Sequence, residues 1–193
     1  MRKLTYFIAC SIDGFIGDPS GDASAMMKYV DEEVLAHLTG DYPETISAEG
    51  RRLLGFDSPN KRYDTVIQGR GSYQLALDAE LPSPYGHLRE YVVTRTLTES
   101  PHPNVELIGT DPVGRIRELK AEEGGLGIWL CGGSEIAGEL IDEIDELVIK
   151  TYPIVYGSGM PMFGSAASLA DFALDEVRAF GNGVVVRTYH RVR

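Results

Sequence analysis

The stretch Gly127 to Pro153, GIWLCGGSEIAGELIDEIDELVIKTYP, constrains this chain more than any other, because it sets a glycine pair between an apolar strand and an amphipathic helix. Ile128 to Cys131 is short and uniformly apolar, as a buried parallel strand should be, while Ile136, Ala137, Leu140, Ile141 and Ile144 recur at helical spacing. A strand that enters a helix through Gly132-Gly133 leaves the helix's first N–H groups without internal partners and turns its positive dipole end outward. Such a junction suits a phosphate, with Ser134 placed to cap the helix or to touch the ligand. The competing reading is that Gly132-Gly133 only makes a tight turn, and the junction alone leaves both open.

The same strand, small residue, helix logic recurs along the chain. Lys3 to Ser11 reads as a strand, followed by a turn at Asp13-Gly14 and by Ile16-Gly17. Asp22 to Leu38 reads as a helix capped by Ser24, with Met27, Val30, Val34, Leu35 and Leu38 on its buried side. Thr39 to Arg62 is polar and irregular, which predicts a surface insertion with a short helix at Ala48 to Leu54. Thr65 to Gln68 is a second buried strand that opens a helix through Gly69-Arg70-Gly71-Ser72. Tyr91 to Thr94 is a third, stopping at Thr94-Arg95-Thr96, and Val105 to Ile108 is a fourth. Asp111 caps a helix running to Glu122, with Pro112 at its first position. A strand at Leu147 to Tyr152 precedes the turn-rich Tyr156 to Ser165, and Phe172 to Phe180 forms a hairpin with Val184 to Val192 across Gly181-Asn182-Gly183. The fold class expected is a three-layer α/β domain of all 193 residues, with a mostly parallel central sheet and an antiparallel C-terminal hairpin.

In open parallel sheets, ligands bind beyond the carboxyl ends of the strands, so Ser11 to Gly17, Gly69 to Ser72, Thr94 to Thr96 and Gly132 to Glu135 should converge. Arg70 and Arg95 add guanidinium groups at two of those ends, matched to a phosphate monoester; taken singly, each is equally a solvated surface side chain. No GxGxxG follows the first strand, which excludes the Rossmann fingerprint. Cys10 and Cys131 are far apart and the four histidines are scattered, so no metal is expected and the thiols read as free, in a reducing compartment. No apolar run reaches signal or membrane-spanning length, and the expectation is a cytoplasmic protein with no membrane partner. A formal net charge of -11 disfavours nucleic acid, although one loop can still supply the local field that a small anion needs.

Five segments carry a resemblance: FIACSIDGFIG (Phe7 to Gly17), VIQGRGSY (Val66 to Tyr73), VVTRT (Val92 to Thr96), LCGGSEI (Leu130 to Ile136) and DELVIKTYPIVYGSGMPMF (Asp145 to Phe163). In their order and spacing, over most of the chain, they resemble the dihydrofolate reductase-like superfamily, closest to the C-terminal reductase domain of the bifunctional riboflavin biosynthesis protein. The resemblance implies NADPH in preference to NADH. It implies that the Ala9 backbone and the Ile16 side chain, with Gly17 beside them, line the nicotinamide carboxamide. Gly69, Arg70 and Ser72 would hold phosphates, and Thr94 and Arg95 would meet the adenosine ribose and its 2'-phosphate. Gly132-Gly133, often a cis peptide in this family, would approach the cofactor with Ser134, Glu135 and Ile136.

The activity implied is hydride transfer to a small planar heterocycle of the pteridine or ribosylaminopyrimidine class, or to a carbonyl compound. A catalytically silent NADP-binding module is the alternative. Dihydrofolate reductases carry a carboxylate on the first helix, and the matching positions here are Ser24-Ala25, so folate reduction is not expected. No residue is assigned a catalytic role. Three candidate contacts for the small-molecule substrate are Asp13, which is equally a turn residue, and Lys150 and Tyr152, which share a strand face. The family commonly forms homodimers, and a homodimer is expected.

Overall fold

A computed structural model describes residues 1–193. In chain order its elements are β1 (Leu4–Cys10), β2 (Phe15–Gly17), α1 (Glu32–Asp41), α2 (Ala48–Leu54), β3 (Tyr63–Gly69), α3 (Arg70–Asp78), β4 (Arg89–Val93), β5 (Val105–Ile108), α4 (Pro112–Ala121), β6 (Gly127–Gly132), α5 (Ser134–Glu139), β7 (Glu146–Thr151), β8 (Met160–Pro161), β9 (Phe172–Ala179) and β10 (Val185–Arg191). Eight strands form one sheet in the order β5-β4-β3-β6-β1-β7-β10-β9. The strands from β5 to β7 are parallel, and β10 runs antiparallel to both β7 and β9. This is the expected fold class, a mostly parallel sheet closed by an antiparallel hairpin.

Alternation along each strand assigns the two faces. Tyr6 and Cys10 of β1, Leu130 of β6 and Ile149 of β7 pack beneath α4 and α5, with Ile116, Leu119 and Ile136. Phe7, Trp129, Val148 and Tyr152 point the other way, against Met26, Val34 and Leu38 of the segment that includes α1. The first strand therefore sits at the centre, between β6 and β7, and every side chain on it is committed to one layer or the other.

The structure differs from the sequence reading in four places. The helix expected from Asp22 to Leu38 is divided into a 3-10 turn over Ser24–Tyr29 and then α1. Asp31 causes the break: its carboxylate accepts from the Val34 N–H at 3.0 Å and starts a new helix there. Ser24 is no cap but bonds Asp22, and of the two methionines Met26 is buried while Met27 is exposed. The segment from Thr39 to Arg62 holds the expected short helix, α2, but is also anchored to β3, because the fully buried Glu44 accepts from the N–H groups of Lys61, Arg62 and Tyr63 at 3.2, 2.7 and 2.7 Å. Beyond α5 the chain continues as a 3-10 turn, Ile141–Glu143, instead of one long helix. A small ladder, β2 with β8, was not anticipated; a Cβ at Gly159 would overlap the Gly17 carbonyl, so only glycine lets these backbones meet. No helix is long and apolar enough to cross a membrane.

Candidate active site

A cleft of about 740 Å³ opens at the carboxyl ends of the parallel strands, a size suited to a small organic ligand. It is lined by Gly69, Arg70 and Ser72 from the β3–α3 junction, Thr94 and Arg95 after β4, and Gly133, Ser134, Glu135 and Ile136 from the β6–α5 junction. Three of the four junctions read as converging in the sequence therefore meet in one place. The strand order explains it: β4, β3 and β6 are adjacent, so their tips are neighbours.

Three helices aim their N-termini at this cleft, and they are not equivalent. Asp111 caps α4 with its own carboxylate, accepting from the Gly114 N–H at 2.9 Å. The caps of α3 and α5 are Gly69 and Gly133, which have no side chain to offer, and neither helix has a side-chain cap bond. Ser134 is thus the first residue of α5 and not its cap, as the sequence reading had it. The first N–H donors of α3 and α5 remain free for a ligand. Beside them, the Nε of Arg70 is buried and has no hydrogen-bond partner. A buried guanidinium donor without an acceptor calls for an anion.

The two uncapped junctions touch most closely at Gly69. A Cβ on Gly69 would lie 3.1 Å from both the Gly133 nitrogen and the Ile136 Cγ2, and 3.3 Å from the Gly132 oxygen. The Gly132–Gly133 peptide is cis, as the resemblance implied, and a Cβ on either residue would stand 3.5 Å from the Ser72 hydroxyl.

The remaining residues singled out in the sequence take varied positions. The Thr94 hydroxyl accepts from Thr96 and Leu97 N–H groups at 3.2 and 3.1 Å, which shapes the turn that carries Arg95. Arg95 is exposed at the rim, 3.9 Å from Glu139. Glu135 lies against Gly164. Ala9, Ile16, Gly17 and Gly132 do not line the cleft: Ala9 packs on the α1 face, Ile16 on the α5 face, and Gly17 pairs in the small ladder with Met160, which does reach the cleft.

Of the substrate candidates, Asp13 accepts from the Ser11 hydroxyl and from the N–H groups of Tyr156 and Gly157 at 2.5, 3.2 and 2.7 Å, so it fastens the loop after β1 to the loop after β7. These bonds, that from Ser11 foremost, hold its carboxyl below the usual range. Tyr152 is buried, and its ring stands 6.4 Å from that of Tyr29. Lys150 lies on the α1 face with its Nζ 4.3 Å from the centre of the Phe7 ring. Burial brings its amine down to about 8 and pushes the neighbouring Cys131 thiol up to about 11, so the pair is an ammonium and a neutral thiol at neutral pH. Both cysteines are free.

The sequence reading passed over Gly109 to Val113, Met160 and Ala166, all of which line the cleft. The first of these was recoverable, because β5 into α4 is one more strand-to-helix junction. A larger recess, about 910 Å³, lies at the opposite end of the sheet around Arg2, Lys3 and Glu122. Several of its charges pair with one another, Arg2 with Asp64 and Glu122 and Lys3 with Glu146.

Residues 2–186 match the family described as the RibD C-terminal domain. The chain is 29% identical over 185 residues to the uncharacterized protein YwjB of Bacillus subtilis (strain 168), covering 95% of each. It is 27% identical to a putative riboflavin biosynthesis protein from Shewanella sp. PV-4 whose crystal structure is known, with a TM-score of 0.70 and both chains covered in full. Dihydrofolate reductase from Enterococcus faecalis, solved with NADP(H), shares the fold at a TM-score of 0.63 and 14% identity, over 99% of this chain and 97% of that one.

Proposed function

The chain belongs to the RibD C-terminal domain family and has a dihydrofolate reductase-like fold, and from that premise we propose that it is an NADPH-dependent reductase. Its substrate would be a small planar heterocycle of the pteridine or ribosylaminopyrimidine class, or a carbonyl compound. The observation that supports this reading most is the pairing of two uncapped helix N-termini, α3 and α5, with the unpartnered Nε of Arg70 in one cleft. Two donor sets at adjacent strand tips suit the two phosphates of one dinucleotide. The Enterococcus faecalis enzyme of the same fold was solved with NADP(H), which favours the same choice here.

The residues divide the work. Gly69, Arg70 and Ser72, with Gly133, Ser134, Glu135 and Ile136, would hold the diphosphate. Thr94 and Arg95 would take the adenosine ribose and its 2'-phosphate, the group that separates NADPH from NADH. The nicotinamide would extend past the cleft lining towards Ala9, Ile16, Gly17 and Gly132, and Lys150 and Tyr152 would meet the substrate there. When bound, NADPH supplies the hydride; the chain orients the partners and excludes water.

Titration of NADPH fluorescence tests the assignment. Arg70→Ala and Arg95→Ala should each weaken NADPH by about tenfold, the scale of one charge-assisted contact, and Arg95→Ala should leave NADH unaffected. Unchanged NADPH affinity in both variants would remove the phosphate assignment. NADPH oxidation is then followed against pteridines, pyrimidines and quinones. A second reading, a silent NADP-binding module, is favoured by the absence of a carboxylate at Ser24-Ala25. It would be selected by tight NADPH binding with no oxidation on any of these compounds.

A further inference from the structure

The chain carries 29 acidic against 18 basic side chains, and its fully buried cations are neutralised, Arg2 by Asp64 and Glu122 and Lys120 by Asp145 at 2.7 Å. Four partly buried cations have no carboxylate within salt-bridge distance: Arg70, which lines the cleft, Arg187 and Arg191, which donate to the Thr151 hydroxyl and to the Ile141 and Ile144 carbonyls, and Lys150. Lys150 has no carboxylate within salt-bridge distance and donates no hydrogen bond within the protein. Its Nζ sits over the Phe7 ring, in the aromatic cluster that includes Tyr85, Tyr152 and Trp129. The side chain is half-buried and keeps access to solvent.

Lys150 does not line the cleft of about 740 Å³ itself, and its place beside that cleft follows from the sheet. Its Cα pairs in register with Ala9 across the β1–β7 ladder, and the nearby Cys131 immediately precedes Gly132-Gly133. It thus lies next to the residues assigned to the nicotinamide, on the face opposite α4 and α5. That face offers no carboxylate to balance it. Asp22 and Asp31 of the first-helix segment are engaged elsewhere, Asp22 with Ser24 and Asp31 with Val34 and Asn182. Leaving an ammonium half-buried and unpaired is costly, and folds usually avoid it by pairing the charge.

We propose that Lys150 determines substrate specificity, and that the substrate it takes is a planar heterocycle carrying an anionic ring or ring-bound oxygen. The proposal rests on the reductase reading for the location of the site, and it inverts the polarity that a first-helix carboxylate would impose. A carboxylate there selects a basic, protonatable ring; an ammonium selects an oxyanion and pairs with it in a setting where water competes poorly. The lowered amine of Lys150 agrees with an ammonium that lacks its partner in the free protein.

Isothermal titration calorimetry on the full chain decides the matter with urate and barbiturate as anionic probes and 2,4-diaminopyrimidine as the basic one, each with and without NADP+. The wild type should bind at least one anion in preference to the base. Lys150→Met should weaken that anion at least tenfold, and Lys150→Arg should restore most of the affinity. NADPH fluorescence in Lys150→Met should match the wild type and so show that the variant is folded. Equal anion affinity in wild type and Lys150→Met would overturn the proposal, as would preference for the base or failure of both anions to bind. Loss of NADPH binding in the wild type would instead sink the reductase reading, while the anion titrations without cofactor would still decide the role of Lys150.

Discussion

Lys150 ties stability to pH at the scale of a single residue. Burial brings its amine down from 10.5 to about 8, so the folded chain releases this proton before the unfolded chain does. Between those two values the unfolded state binds more protons, and the wild type gains stability as pH rises. Below about pH 8 the side chain is charged in both states and the whole cost of burying it stands. Lys150→Met should therefore stabilise the protein by about 1–3 kcal/mol near pH 7, with a much smaller gain near pH 10. Urea unfolding at the two pH values measures it, and an equal gain at both would show that burial does not depress this amine. The residue was visible in the sequence only as a lysine inside an apolar strand. Its isolation was not, because a counter-ion could come from any element packed on that face, and periodicity does not report which carboxylates reach it.

At the scale of elements, the junction between β3 and β6 is the tightest in the site. A methyl group on Gly69 would press on the Gly133 nitrogen and on Ile136, both fixed by α5. Gly69→Ala should cost about 1–2 kcal/mol of stability, the scale of modest overpacking, and should weaken NADPH several-fold because it shifts both uncapped helix starts apart. A melting curve and a fluorescence titration check the two effects, and an unchanged affinity would separate this contact from the cofactor. The parallel strands were legible because burial on both faces writes them as continuous apolar runs, as at Ile128 to Cys131. The cleft was legible for a related reason, since small residues at strand ends mark where backbone must stay bare. Helix boundaries were less so. Asp31 reads as a surface residue on a helix until its carboxylate is found bonded to Val34, and Ser134 looks like a cap until Gly133 is found in that place. The β2–β8 ladder rests on backbone contacts and leaves no side-chain pattern to read.

At the scale of the whole molecule, the sheet ends on an open edge. β9 is bonded on one side only, and Leu174 and Val177 on it are exposed. A second copy of the chain is the proposed cover, and sedimentation analysis should show a dimer that Val177→Lys weakens; a monomer at all concentrations would remove the proposal. The other large feature is the place of β1, whose two neighbours, β6 and β7, begin only at Gly127 and Glu146. A fragment ending at Leu126 should lack cooperative unfolding by circular dichroism, and a cooperative transition there would contradict this account. During synthesis, then, β1 leaves the ribosome long before either companion, since β6 begins only at Gly127 and β7 at Glu146. For that interval the nascent chain exposes an apolar strand, LTYFIAC, that the finished sheet buries.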